Sequence, residues 1–110
     1  MKPIVLEVLD SLLDQIAVLD KDGDIIAINK SWVKFSIEND GDLHKTGLGN
    51  NYFTVCPDDV LDGIMQVLKG KKEHFNYEYP CHSESEFRWF ILRVTPIKIN
   101  QNKGVVVSQK

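Results

Sequence analysis

Two stretches of the chain carry residue types that could do chemistry. Cys81 and His82 stand side by side in "EYPCHSESEFRWFILRVTPI", residues 78–97, and Asp20, Asp22 and Asp24 alternate in "DKDGD". A thiol beside an imidazole suggests a nucleophile or a metal site, and alternating carboxylates suggest a calcium loop. Spacing argues against each. A structural zinc site takes about four ligands, commonly in Cys-x2-Cys or His-x3-His pairs. The chain offers Cys56, Cys81, His44, His74 and His82, and no such pair. Adjacent side chains in a strand point to opposite faces, so Cys81 and His82 would not converge on one ion. A Cys nucleophile would need His44 or His74 brought to it as a base by the fold. A calcium loop needs Gly at its sixth position and a bidentate Glu at its twelfth. Those positions are Ile25 and Ser31. Gly47-Leu48-Gly49 is a two-glycine turn, far short of a nucleotide fingerprint. With no acid–base pair, nucleophile triad or phosphate loop in view, the expectation is a domain that is not an enzyme.

The elements that would position these residues follow from periodicity. "PIVLEVLDSLL", residues 3–13, reads as a helix, with Pro3 at a first helical position and Val5, Leu9 and Leu12 at helical spacing. Two β-rich runs, 15–20 and 24–29, flank Asp22-Gly23, a strong hairpin turn signal. Asn29 caps a helix, "KSWVKFSIEN", that should stop near Gly41, with Trp32 and Phe35 a turn apart and pointing inward. Residues 40–56 are rich in Gly, Asn and Asp and read as a loop or a pair of short turns. "DDVLDGIMQVLK", 58–69, is a helix with acids in its first turn and Lys69, Gly70, Lys71 and Lys72 at its end, matching the macrodipole and capping rules. Val60, Leu61, Ile64, Val67 and Leu68 form its apolar stripe, and Gly63 marks either a close backbone approach or a tolerated surface position. The last third is strand: "EHFNYEYPC", "FRWFILRVTPI" and, after the turn "NQNK", "KGVVVSQ". Strand groups separated by helices argue for an α+β domain with one antiparallel sheet and its helices on one face.

Composition bounds the function. At 110 residues, 43% hydrophobic and 26% charged, the chain is expected to form one soluble domain. Net charge is −3 with acids and bases interleaved, so a nucleic-acid partner is not expected. Two distant cysteines and an N-terminus unlike a signal peptide suggest reduced thiols and a cytoplasmic location. No apolar run approaches the roughly 18 residues of a membrane span.

From about Leu12 to its end the chain resembles a PAS domain. The resemblance rests on "AVLDKDGDIIAIN", "GNNYFTVC", "YPCHSESEFRWFILRVTPI" and "GVVVSQ". The second and third stretches are similar to the bacterial PAS sensors attached to histidine kinases and diguanylate cyclases, where a Tyr-Pro-Cys-His corner precedes an Arg-Trp-Phe strand ending in Val-Thr-Pro. The resemblance implies a five-stranded sheet of order 2-1-5-4-3, a pocket between sheet and helices, and a structural role for Cys81 and His82 in the corner. It divides the chain into a flanking helix, 1–13, and a single PAS domain, 14–110. It also implies a module of a larger protein, because the chain stops before the Asp-Ile-Thr that usually ends such domains.

Neither flavin nor haem is expected. The light-sensing flavin class carries an Asn-Cys-Arg-Phe-Leu-Gln stretch, whereas Cys56 sits in "FTVCPDD". Haem needs an axial ligand, and the nearest histidine, His74, is placed at a strand end. The aromatics have two readings, a lined pocket or a filled core. The strand register implied by the resemblance turns Phe90, Leu92 and Val94 toward the helices, with Ala17, Leu19, Val105 and Val107, under Trp32. Pocket candidates are these residues without Val105, together with Phe35, Tyr52, Phe53 and Ile64. For Phe75, Tyr77 and Tyr79 one slip of register reverses the face. Trp89, Ile91 and Arg93 fall on the outer face, with Ile16 and Val18. An apolar outer face asks for a cover, either the N-terminal helix or a second copy, which makes Val5, Leu9, Leu12, Trp89 and Ile91 candidate dimer contacts. The expected function is a sensing and dimerising module that regulates an attached effector, with a small molecule in its pocket. The alternative is a ligand-free interaction domain with a filled core.

Overall fold

The computed structural model describes residues 4–38, 47–82 and 87–110. Helix α1 (Ile4–Ser11) leads into strands β1 (Gln15–Asp20) and β2 (Ile25–Ile28) and helix α2 (Lys30–Glu38). A 3-10 turn, Tyr52–Thr54, precedes helix α3 (Asp58–Leu68) and strands β3 (Phe75–His82), β4 (Phe87–Ile99) and β5 (Asn102–Gln109). The strands form one five-stranded antiparallel sheet of order β2-β1-β5-β4-β3. The expected stop near Gly41 lies outside the described residues.

Of the expected boundaries that move, three have a local reason. Helix α1 ends two residues before Leu13 rather than running through it. The amide of Asn29 donates to Leu9 O at 3.0 Å and the hydroxyl of Ser31 to Leu12 O at 2.9 Å, so carbonyls at the end of the helix are taken by another part of the chain. Strand β4, expected to end at Ile97, runs through Pro96 to Ile99. Pairing with β3 begins only at Phe75↔Val94, so Pro96 lies where β4 has one neighbour. A proline is tolerated there because its missing N–H need not serve two ladders. Strand β3 runs on to His82, paired with Phe87, and Cys81 pairs with Arg88. The expected corner is therefore paired strand through His82.

The core lies between the sheet and the helices. Ala17, Leu19, Ile64, Val94, Val105 and Val107 are fully buried, and Trp32, Val60, Val67 and Leu92 nearly so. The register of β3 places Tyr77 opposite Leu92 and Phe75 opposite Val94, and both aromatics pack against the core. Gly63 is buried in α3, and a Cβ there would run into the Phe75 ring. That is the close approach, not a surface position. On the other face Trp89 is 60% exposed and Ile91 38%, so α1 does not cover them. Ile16, assigned to that face by alternation, is nevertheless buried at 7% exposure.

Asn29 is the main polar group of this core, at 1% exposure. Its Oδ1 accepts from the backbone N–H of Ile16 and of Trp32, both at 3.0 Å. Its Nδ2 donates to Leu9 O and, at 2.8 Å, to Asp14 O. The bond to Trp32 is the expected N-cap of α2. The remaining bonds tie that cap to β1 and to the segment leaving α1.

Candidate functional site

Residues from four places meet around a cavity of about 220 Å3 lined by Tyr52, Pro57, Val60, Tyr77 and Leu92. Pro57 and Val60 open α3, where Pro57 occupies the N-cap and Asp58 and Asp59 complement the helix dipole. Tyr52 comes from the 3-10 turn, and its N–H donates to Gly23 O at 2.8 Å, which ties this wall to the β1–β2 turn. The Tyr52 ring meets Trp32 edge-on, with centroids 6.1 Å apart. Tyr77 on β3 stacks on Phe75 at 6.3 Å, and Leu92 stands across from it on β4. The wall is apolar apart from its two phenols. Such a site suits a small, mostly apolar molecule oriented by one or two hydrogen bonds.

The "DKDGD" carboxylates serve the turn. Asp20 Oδ1 accepts from the N–H of Asp22 and Asp24 at 2.9 and 3.0 Å. Asn51 Nδ2 donates to Asp22 O and to Asp24 Oδ1. These are backbone-shaping bonds of the Asx-turn kind. Among the described residues no three His, Cys, Asp or Glu side chains gather to hold a metal ion. His74 is exposed just ahead of β3. The side chains of Cys81 and His82 lie outside the described residues.

Cys56 is half-buried, with its N–H on Tyr52 O at 3.0 Å. Burial pushes its thiol up, Asp58 adds to the shift, and a backbone hydrogen bond opposes it. The folded chain therefore holds this proton more tightly than the unfolded chain does. Its contribution to stability is complete below the ordinary thiol range and is lost as pH rises through the raised value. Site-resolved alkylation with iodoacetamide at pH 8 should label Cys56 about tenfold more slowly than the unfolded chain. Equal rates would show that the thiolate is not suppressed.

No family model matches the chain. It is 37% identical, over 92% of its length, to the "uncharacterized 104.1 kDa protein in hypE 3'region" of Rhodobacter capsulatus. It spans about 12% of that protein's length. Among solved structures, a PAS domain from Colwellia psychrerythraea superimposes with TM-score 0.67 over 97% of this chain and 92% of that one, at 15% identity. The PAS domain of nitrogen regulation protein NR(II) from Vibrio parahaemolyticus gives 0.66 over 99% and 98%, at 11% identity. A PAS domain from a two-component sensor histidine kinase gives 0.63 over 97% and 92%, at 9% identity. The chain adopts the PAS fold.

Within the PAS fold the candidate residues separate into groups. Tyr52 and Leu92 reach the cavity. Ala17, Leu19, Trp32, Ile64, Val94 and Val107 belong to the surrounding core without lining it, and Phe53 is half-buried against them. Phe90 is buried outside that cluster, and the Phe35 side chain lies outside the described residues. Pro57 and Val60 line the cavity although sequence reasoning did not select them, and so does Tyr77, whose face it left open. Of the candidate contacts, Leu12, Trp89 and Ile91 are exposed, Leu9 is half-buried, and the Val5 side chain is not described. Among the described residues no helix is long and apolar enough to cross a membrane.

Proposed function

We propose that this PAS-fold chain is a signal-sensing and dimerisation module that regulates an attached effector, a histidine kinase or diguanylate cyclase, in bacterial signal transduction. It works in the cytoplasm, without catalysis of its own and without contact to nucleic acid. The observation that carries this proposal is the cavity walled jointly by the helix layer, through Tyr52 and Val60, and by the sheet, through Tyr77 and Leu92. A molecule there touches both layers, and it biases their packing by whatever difference in affinity it has for two arrangements. At about 220 Å3 the space is below the roughly 300–1,000 Å3 of drug-sized sites. A small metabolite fits this scale better than haem or flavin. Trp89 and Ile91 on the outer sheet, with Ile4 and Val8 on α1, offer apolar surface for pairing two copies.

The small cavity also favours a second reading. With Trp32, Leu19 and Ile64 filling the core, the chain would be a ligand-free domain that docks a protein through its outer sheet.

Native mass spectrometry of freshly purified protein, compared with its denatured mass, tests both. An extra mass lost on denaturation and absent from Val60→Phe supports the sensor. A doubled mass without a ligand, abolished by Trp89→Glu with Ile91→Glu, supports the docking domain. A bare monomer would overturn the sensor and would rule out docking to a second copy of the chain.

A further inference from the structure

A second, larger cleft, sharing no lining residue with the Tyr52 cavity, opens at the end of α3 and the β4–β5 hairpin. It measures about 460 Å3, within the size range of small-molecule sites. Val67 and Leu68, from the last turn of α3, line one side, and Pro96, with the adjoining Ile97, lines the other. Pro96 shares the strand face of Lys98 and is exposed, so this wall is open to solvent. The rim is basic: Lys72, Lys98 and Lys103 line it, and Glu73 is the acid among the lining residues. In a chain of net charge −3, that is a local reversal of sign.

The hairpin makes the reversal costly. Lys98 and Lys103 are direct cross-strand partners in the β4–β5 ladder. Like charges placed opposite each other on adjacent strands repel and destabilise the pair. Lys72 adds a third charge to the same rim, with its Nζ 5.6 Å above the Phe75 ring. An anion seated between the lysines would relieve the repulsion, while its apolar body would cover Val67, Leu68 and Pro96.

We propose that this cleft binds a single-chain amphiphilic anion, with its charged head among Lys72, Lys98 and Lys103 and its hydrocarbon body between α3 and β4. The site is separate from the Tyr52 cavity and does not depend on it.

The test is a titration of the whole chain with dodecanoate below micelle formation, followed by amide NMR shifts. Dodecyltrimethylammonium is the control of opposite charge, and phosphatidylglycerol vesicles are the membrane control. The expected result is saturable shifts clustered at Gly70, Ile97 and Gly104, and an affinity about tenfold weaker in Lys98→Gln with Lys103→Gln. Both substitutions are on exposed side chains, and an unfolding midpoint no lower than that of the unsubstituted chain would show that the fold is intact. Three results would overturn the proposal: equal binding of the cationic amphiphile, shifts centred on Tyr52, Tyr77 and Leu92, or no saturable shift at all. Adsorption to vesicles without binding of free dodecanoate would also overturn it, since it would make the lysines a membrane-facing patch.

Discussion

Replacing Asn29 by Ala should lower the stability of the domain by about 3 kcal/mol, a large share of the ~5–15 kcal/mol a domain commands. The amide uses both acceptor and both donor positions at 1% exposure. Loss of the α2 cap accounts for about 1 kcal/mol. The buried Ile16 N–H, left without its acceptor, costs about 1–3 kcal/mol more. The thermal midpoint should fall by roughly 13 °C for a chain of this size. Asn29→Asp separates the two jobs of the residue. It keeps acceptors for Ile16 and Trp32 but removes the donors that hold Leu9 O and Asp14 O. In that variant, hydrogen exchange should stay slow at Trp32 and speed up at Leu12, whose N–H reaches Leu9 O at 3.3 Å. A fall of less than about 0.5 kcal/mol in urea unfolding of Asn29→Ala would mean that water replaces the amide, and that this junction does not hold α1 to the domain.

The second large effect is expected at Gly23. Its φ of +87° lies in the left-handed region, which costs an Ala about 1–2 kcal/mol. A Cβ there would also stand 2.5 Å from the ring carbons of Phe53, itself packed on the core. Together these should make Gly23→Ala cost about 2–3 kcal/mol. The two causes can be told apart. Combining Gly23→Ala with Phe53→Ala should recover the steric part, giving a coupling of about 1 kcal/mol in a double-mutant cycle, while the backbone strain persists. Additive effects would place the whole cost in the backbone. Because Gly23 O holds the Tyr52 N–H, the displaced turn should also disturb the Tyr52 wall of the cavity.

Most of the architecture was legible because local signals agreed with one another. Asp22-Gly23 announced the β1–β2 turn, Asn29 announced the start of α2, and acids at Asp58 and Asp59 with Gly70 beyond the end bracketed α3. What remained hidden depended on chain segments meeting from far apart. Nothing in the sequence indicates that Leu9 and Asp14 carbonyls would both come within hydrogen-bond reach of Asn29. Tyr77 escaped selection because the facing of β3 turned on one step of register, settled by its pairing with Leu92. Val60 was recognised as an apolar stripe residue, but helical period alone does not say that the sheet opposite it leaves a space. Lys72 looked like a helix-dipole partner until the hairpin brought Lys98 and Lys103 to the same rim.

The pairing of β1 with β5 has a mechanical side. Gln15, where the chain enters β1, is the ladder partner of Gln109, near where β5 ends, and the ladder runs from there to Asp20↔Gly104. Tension applied through the segments on either side of the sheet therefore arrives at one end of this ladder. It loads the hydrogen bonds in succession, as in opening a zip, rather than all together in shear. Strands β1 and β5, two of the three interior strands and packed on the core, form a seam that yields to a smaller pull than a sheared pair would.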